Sequence, residues 1–238
     1  MLKFAFCIGF FLTSSLIANT PIQLDCKDLL VYFNDGDTFQ IRTLQKMPNS
    51  KISARLKGFN TLESYGPIHQ WGRWTTLELL QNANQATAEA REGGWHCDTL
   101  GSKDKYGRIL VNCPDLARDL ISKGLAHVMF VEATDYDPEL LQIQQEAIQH
   151  RVGMWKKGVP DYIMTSVHSL AEPELHKRAY DRFVSVETGN SLVRSHHNTY
   201  DTCETVAYTP EENKTASSML YVPFMKRYGA QKVGCLQN

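Results

Sequence analysis

The chain has 238 residues, of which 42% are hydrophobic and 21% charged, and its formal net charge is −1. Such a composition is typical of a soluble globular protein with one good-sized domain and an appendage, or with two small domains. Near-neutrality argues against a protein that binds nucleic acid through a broadly basic surface, since phosphate neutralisation supplies most of that affinity. Any phosphate-binding site is therefore expected to be local.

The N-terminal 18 residues are typical of an export signal. A positive start at Lys3 is followed by an apolar run from Phe4 to Ile17 and then by the small residue Ala18. The run is short for a transmembrane helix, so we expect residues 1–18 to be removed and no integral membrane segment to remain. A buried strand and an uncleaved anchor are the alternatives. The sequence predicts a secreted or periplasmic protein.

Five cysteines follow this leader, and an exported protein can carry disulfides. They are Cys26, Cys97, Cys113, Cys203 and Cys235. The odd number leaves at least one thiol free or paired between chains. Cys97 and Cys113 flank a hairpin-like segment and could face each other, and Cys203 and Cys235 could close the C-terminal part on itself. Buried free thiols are the alternative for both pairs.

The pattern of apolar residues predicts an α+β fold. Hairpins occur without βαβ alternation, which favours a small antiparallel, barrel-like sheet with helices packed on it. In chain order we predict strands at 29–33, 38–42 and 51–59, a helix at 67–90, strands at 95–97 and 109–111, and helices that begin at 114 and 137. A boundary is expected at 158–160.

The residues after this boundary form a C-terminal extension, 159–238, of mixed or helical structure. We predict one helix from Leu170 to Phe183 and another from Ala216 to Arg227. The paired histidines at 196–197 lack a second ligand cluster with suitable spacing, so no metal site is predicted there. An add-on domain, a partner-binding arm and a cover for one side of the barrel remain as alternatives.

Polar residues gather at the end of the third predicted strand. Arg55 and Glu63 lie eight residues apart, with Asn60 and Thr61 between them. A cation, two oxygen-bearing residues and a carboxylate can together bind a phosphodiester and a hard metal ion. Asp37 follows an Asp-Gly turn that does not itself require it, so its carboxylate is available as a ligand for Ca²⁺. Turn chemistry alone and a solvated strand face are the alternatives.

A second group of polar residues lies between the strands at 95–97 and 109–111. This loop is basic, carries an aromatic residue and ends at Arg108. Its planar guanidinium can bind two phosphate oxygens at once. An exposed turn with solvated charges is the alternative reading of the same loop.

Six segments, in this order, resemble the staphylococcal nuclease (thermonuclease) family. They are Asp35-Gly36-Asp37-Thr38, Arg55-Leu56 with Asn60-Thr61-Leu62-Glu63, Tyr65-Gly66-Pro67, Asp104-Lys105-Tyr106-Gly107-Arg108, Gly124-Leu125-Ala126 and Gly153-Met154-Trp155. The resemblance spans residues 27–157. It implies an OB-fold barrel of five strands with three helices, and a Ca²⁺-dependent phosphodiesterase that cleaves DNA and RNA to leave 3′-phosphate ends.

The resemblance also implies roles for eight residues. The phosphate-binding arginines and the general base stabilise and start an attack by water on phosphorus. By position the implied residues are catalytic Arg55, Glu63 and Arg108, substrate-binding Tyr106 and Phe130, and metal-binding Asp37, Asn60 and Thr61. Lys105 is added as a substrate-binding residue because it lies in a basic cluster with Lys103 and Arg108.

Three departures from the family pattern modify these expectations. Asn60 replaces a metal-binding aspartate, which removes a formal charge and predicts weaker Ca²⁺ binding or a different metal preference. Phe130 replaces a tyrosine, so it can stack on a base but offers no hydroxyl. The loop between Glu63 and Tyr65 is short, which predicts a more open rim to the site.

The expected partners are DNA and RNA, with single-stranded or locally unpaired strands favoured, and a protein partner for the extension stays open. The alternative function is a catalytically silent OB-fold module that binds nucleic acid or a protein. The joint presence of Arg55, Glu63 and Arg108 favours the enzyme, because a binding module does not need a carboxylate beside a phosphate.

Overall fold

A computed structural model describes residues 19–42, 51–66, 68–172, 178–227 and 233–236. The predicted leader, residues 1–18, lies outside the described residues. The strands are β1 (Thr20–Leu24), β2 (Lys27–Asp35), β3 (Thr38–Arg42), β4 (Lys51–Leu56), β5 (Gly58–Thr61), β6 (His69–Gln70), β7 (Trp95–Lys103), β8 (Ile109–Asn112), β9 (Ala126–Met129), β10 (Tyr162–Ser166), β11 (Ala179–Ser185), β12 (Ser191–His196), β13 (Thr205–Val206) and β14 (Ser218–Leu220). The α-helices are α1 (Thr76–Ala90), α2 (Pro114–Ser122) and α3 (Pro138–Gln149).

The predicted α+β barrel is confirmed, but six strands close it instead of five, in the order β1-β2-β3-β4-β8-β7. The additional strand is β1, which pairs antiparallel with β2 and parallel with β7. Thr20, Ile22 and Leu24 alternate inward, as expected for a strand with one buried face. The barrel therefore begins just behind the predicted leader and before residue 27, where the family resemblance starts.

The predicted strand at 51–59 is two strands that break at residue 57. β4 stays in the barrel, while β5 leaves it and pairs antiparallel with β9.

The helix predicted to begin at residue 67 begins at Thr76, where Thr75 and Glu78 form a capping box. α2 and α3 begin at prolines, as predicted, and Asp137 caps α3 through backbone N–H groups.

Three apolar clusters hold these elements together. The first fills the barrel and the inner faces of α2 and β9. The second joins α1 and α3 to Trp155, and it also includes Ile163 and Val186 of the extension. The third lies within the extension, around Phe183 and Tyr221. Because the second cluster contains side chains from both parts, the extension packs on the barrel domain through a shared core.

Both helices predicted in the extension are wrong. Ala179–Ser185 is a strand whose alternate residues are buried, and Ser218–Leu220 is a short strand. Residues 173–177 lie outside the described part of the chain. The extension forms a sheet of order β10-β11-β12, and it adds β13 and β14 to β6 of the barrel domain. Short strands with two-residue periodicity are easily read as helices when their pairing partners are distant.

Both cysteine pairs are joined. Cys97–Cys113 links β7 to the start of α2, and Cys203–Cys235 closes the end of the extension on itself. Cys26 is an exposed free thiol. Within the described ranges, no helix has the length and apolar character needed to cross a bilayer.

Candidate active site

Strand pairing brings four of the predicted site residues to one end of the barrel. Asp37 follows the β2–β3 turn, Arg55 lies in β4, and Asn60 and Thr61 end β5. Thr38 and Arg55 are register partners across β3 and β4, so Asp37 lies next to Arg55. Pairing of β3 with β4 therefore assembles Asp37 and Arg55, while Asn60 and Thr61 reach them from β5, which pairs with β9.

The turn before Asp37 depends on a close approach of backbone to side chain. The backbone N–H of Asp37 donates to Oδ1 of Asp35 at 3.3 Å, as in an Asx turn. A β-carbon on Gly36 would lie 2.6 Å from Cγ2 of Thr61. Glycine at this position therefore allows the turn to pack directly on β5.

The carboxylate of Asp37 is buried and fully engaged. Its Oδ1 accepts from Thr38 Oγ1 at 3.0 Å and from Nη1 of Arg55. Its Oδ2 accepts from the backbone N–H of Thr61 at 2.9 Å and from Thr61 Oγ1 at 3.2 Å. Burial acts to raise the pKa of Asp37, but Arg55 and the Thr61 N–H favour the charged form and bring the pKa below its ordinary value.

Asn60 lies between an arginine and a histidine. Its Oδ1 accepts from Nη2 of Arg55 at 2.5 Å, and its Nδ2 donates to the carbonyl of Thr61 at 2.7 Å. Nδ2 also lies 3.4 Å from Nε2 of His127, whose Nδ1 lies 2.9 Å from the carbonyl of Val128. These contacts assign the proton of the imidazole to Nδ1 and leave Nε2 as an acceptor for the Asn60 amide.

Glu63 follows β5 and is anchored by its backbone, which donates to Nε2 of His69 at 3.2 Å. Burial, followed by the negative charge of Asp37, raises the pKa of Glu63 above its ordinary value. Three positive charges act in the opposite direction, and they belong to Arg227, Arg55 and Arg108. A carboxylate with raised proton affinity among arginines is a group suited to accept a proton during a reaction.

Two buried histidines, His69 and His127, contact Glu63 and Asn60 and are neutral. Burial lowers the pKa of His69 to about 3, with a further contribution from His127. Burial also lowers the pKa of His127 to about 4, against the hydrogen bond to Val128. Neutral imidazoles in these positions act as acceptors that orient the backbone of Glu63 and the amide of Asn60.

Arg108 reaches the site from the β7–β8 hairpin. Its backbone N–H and its Nε donate to Asp104 at 3.0 and 2.6 Å, which fixes the side chain on its own loop. The guanidinium lies 5.4 Å from the ring centroid of Tyr106. The positive charge of Arg108 acts on Glu63, where it opposes the rise of the pKa of that carboxyl group.

Lys105 and Tyr106, the predicted substrate-binding residues of this loop, contact the extension. The Nζ of Lys105 donates to the hydroxyl of Tyr180 and lies 4.4 Å from the centroid of its ring. The hydroxyl groups of Tyr106 and Tyr180 are 3.3 Å apart. Tyr106 nevertheless keeps 64% of its surface exposed, so its ring remains accessible to a ligand.

Phe130 is not brought to the site surface. It is 2% exposed, and its backbone bonds to the extension through Gly189 and Ser191. Tyr136 packs edge-on against its ring at 5.5 Å between centroids. The side chain belongs to the barrel core in this structure and offers no face on which a base could stack.

The predicted metal ligands have the right chemistry for a hard cation. Carboxylate and carbonyl oxygens of Asp37, Asn60 and Thr61 are ligands that Ca²⁺ prefers. Asp35 adds a further carboxyl group, but burial and then the charges of Asp37 and Glu63 raise its pKa well above the ordinary value, which favours its neutral form. Among the described residues, no group of three or more His, Cys, Asp or Glu side chains is placed to hold a metal ion. The donor types fit the ion, while the oxygens are held by protein hydrogen bonds.

The expected open rim is not observed. A cavity beside Glu63 is lined on its other sides by extension residues, namely Thr165, Ser166, Val167, His168, Met219 and Arg227. Sequence reasoning missed this contribution, because nothing local in residues 159–238 marks them as neighbours of Glu63. It also missed Asp35, which reads as a turn residue, and His127, which lies inside an apolar run.

Comparison with protein families gives a match to part of the barrel domain. Residues 53–157 match the family model for staphylococcal nuclease homologues. The chain carries a staphylococcal nuclease homologue domain. Comparison with curated proteins gives no match for this chain. The match to the nuclease homologue family begins inside β4 and ends at the boundary before the extension, so it covers Arg55, Glu63 and Arg108 and leaves Arg227 outside.

Proposed function

We propose that the protein is an exported, metal-dependent phosphodiesterase that hydrolyses DNA and RNA to 3′-phosphate ends. The observation that carries the proposal is the half-buried Glu63 carboxylate, which has a raised pKa and lies within the electrostatic influence of Arg55 and Arg108. The domain belongs to a nuclease homologue family, which agrees with this chemistry. The leader-like sequence and the two disulfides support export, because disulfides persist in oxidising compartments.

The residues divide the reaction between charge stabilisation and proton transfer. Hydrolysis of a phosphodiester builds negative charge on the phosphate oxygens, and guanidinium groups stabilise that charge. Arg55 uses two N–H groups on Asp37 and Asn60, and a guanidinium carries more donors than these. Glu63 would orient the attacking water and accept its proton. Asp37, Asn60 and Thr61 would hold the Ca²⁺ ion, which supplies positive charge when bound.

Digestion of single-stranded DNA tests the proposal. The wild-type protein should cleave with Ca²⁺ and stop with chelator, and mass spectrometry of the products should show 3′-phosphate ends. Glu63→Gln should lose on the order of 10²-fold or more in rate, as expected when a general base is removed. Glu146→Gln on the exposed face of α3 is the matched control and should keep full activity. Absence of cleavage in any divalent metal contradicts the function, and an active Glu63→Gln variant contradicts the mechanism.

A second candidate is an OB-fold module that binds nucleic acid or protein without catalysis. It is favoured by the hydrogen bonds that Arg55 makes to two of the oxygens expected to bind the metal. The same assay separates the two candidates, because a silent module would bind single-stranded DNA in chelator and leave it intact after Ca²⁺ is added.

A further inference from the structure

The extension is joined to the active-site end of the barrel by strand pairing. β14 pairs with β6, so that Met219 is the register partner of His69. The backbone N–H of Leu220 also donates to the carbonyl of Ile68 at 3.0 Å. His69 in turn accepts from the backbone of Glu63. β14, the last strand among the described residues, is therefore linked through His69 to the backbone of Glu63, the proposed general base.

The segment after β14 is held in place by further bonds. The backbone N–H of Cys203 donates to the carbonyl of Tyr221 at 2.8 Å, and Cys203 is bonded to Cys235. The Nε of Arg227 donates to the carbonyl of Val222 at 2.9 Å. The backbone conformation of this segment therefore fixes the direction of the Arg227 side chain.

Arg227 points toward the nuclease site. Its Cδ lies 3.1 Å from the position that a β-carbon on Gly66 would occupy. Arg227 and Glu63 line the same cavity, and the volume of this cavity is about 30 Å³. Such a cavity can hold a water molecule but not a nucleotide. What the extension adds beside Glu63 is therefore a positive charge and a polar wall, not a pocket for a base.

The guanidinium of Arg227 adds a third positive charge to this site. Arg55 shares its charge with Asp37, and Arg108 shares its charge with Asp104. Asn60 brings no formal charge to the metal, which limits the attraction of a cation. A phosphodiester that gains negative charge during hydrolysis is stabilised by any further guanidinium within reach.

We propose that Arg227 contacts the scissile phosphate as a third guanidinium, so that the active site is built from the barrel and the C-terminal extension together. This inference rests on the proposed phosphodiesterase function. It gives residues 159–238 a direct role in the reaction. The recognition of a phosphodiester then depends on both the barrel and the C-terminal extension.

Kinetics on a dinucleotide with a single phosphodiester bond test this inference. Arg227→Gln should lose on the order of 10²-fold in kcat, as when one donor to a developing oxyanion is removed. Arg227→Lys keeps the charge without the planar fork and should lose less. Lys226→Gln is the matched control, because Lys226 is the exposed neighbour of the same charge and donates to Thr202 instead. Its kcat should be unchanged.

The remaining outcomes separate failure of this inference from failure of the proposed function. An Arg227→Gln variant as active as the wild type overturns the inference. A more active variant also overturns it, because it shows that Arg227 obstructs the site. An equal loss in Lys226→Gln also overturns it.

If the wild-type protein cleaves nothing, the proposed function is wrong, and binding of a short single-stranded DNA in chelator then tests the role of Arg227. Weaker binding in Arg227→Gln but not in Lys226→Gln then supports the phosphate contact, and equal binding refutes it. If Arg227→Gln does not fold, Arg227→Lys supplies the comparison.

Discussion

Replacing Asn60 by Asp changes one atom of a buried side chain that makes three contacts. The contact with Arg55 is kept, because a carboxylate oxygen still accepts from Nη2. The 2.7 Å bond to the carbonyl of Thr61 is lost, because a carboxylate has no N–H to donate. The new oxygen also faces Nε2 of His127, which is neutral at pH 7 because burial lowers its pKa to about 4.

The size of the effect follows from the buried groups that lose a partner. Leaving a buried carbonyl without its hydrogen bond costs about 1–3 kcal/mol. We therefore expect Asn60→Asp to lower the free energy of unfolding by about 2 kcal/mol in chelator. Because the substitution restores a charged metal ligand, saturating Ca²⁺ should reverse this loss, with a gain of about 2.7 kcal/mol at a hundredfold excess over Kd. At the same Ca²⁺ concentration, the wild-type protein should gain less stability, because its Kd for Ca²⁺ is expected to be higher.

Urea unfolding with EDTA and with increasing Ca²⁺ measures both effects. The matched control is Asn82→Asp, because Asn82 is also buried and its Nδ2 donates to a carbonyl, that of Gly124, at 3.2 Å. This control should lose a similar amount of stability and gain nothing from Ca²⁺. If Asn60→Asp unfolds at the wild-type urea concentration in EDTA, the hydrogen-bond reasoning is refuted. If Ca²⁺ stabilises it no more than Asn82→Asp, position 60 is not at the metal.

Three further predictions concern the surroundings of the site. Burial keeps the pKa of His69 near 3 in the folded state, while in the unfolded chain it is about 6.5. The stability that the neutral ring contributes is therefore full above pH 6.5 and is lost as the pH falls, by about 2 kcal/mol at pH 5. His69→Gln should show a correspondingly smaller drop in urea midpoint between pH 7.5 and 5, and an equal drop would contradict the burial argument. Gly189→Ala should cost about 1–3 kcal/mol, because its β-carbon would lie 2.9 Å from the ring of Phe130 at a φ of +72°; unchanged unfolding would refute this packing. Replacing Cys203 and Cys235 together by Ser should cost about 2–4 kcal/mol, since the bridge closes a 32-residue separation, and a variant as stable as the oxidised wild-type protein would contradict this expectation.

The part of the site that the sequence predicted is the part that short-range pairing assembles. Asp37 precedes β3 and Arg55 lies in β4, so the pairing of these two strands brings them together once the strands are recognised. Thr61 follows shortly after in β5 and binds the Asp37 carboxylate. Family resemblance then supplies Arg108, which lies on another hairpin. The barrel strands were predictable for the same reason, because each alternates between a buried and a less buried face.

The parts that were not predicted depend on distant pairing or on polar residues in apolar surroundings. β14 finds its partner in β6, and Ser218 and Gln70 are 148 residues apart. His127 lies between buried apolar residues, where periodicity reads it as core. Phe130 was expected at the substrate because of its position in the family pattern, but the extension covers it. Tertiary context decides these cases, and it is not encoded in the local pattern of residues.

The pairing of β14 with β6 also sets a time at which the site can be completed. A chain is synthesised from its N-terminus, and early domains can fold before later ones emerge. The barrel strands are all present by residue 112, yet the wall beside Glu63 requires residues beyond 218. The loop that must close between these strands is long, which slows its formation. A newly made barrel would thus pass through an interval in which Glu63 is exposed and Arg227 is not yet beside it. Under the proposed mechanism, hydrolysis would reach its full rate only after the final segment has docked.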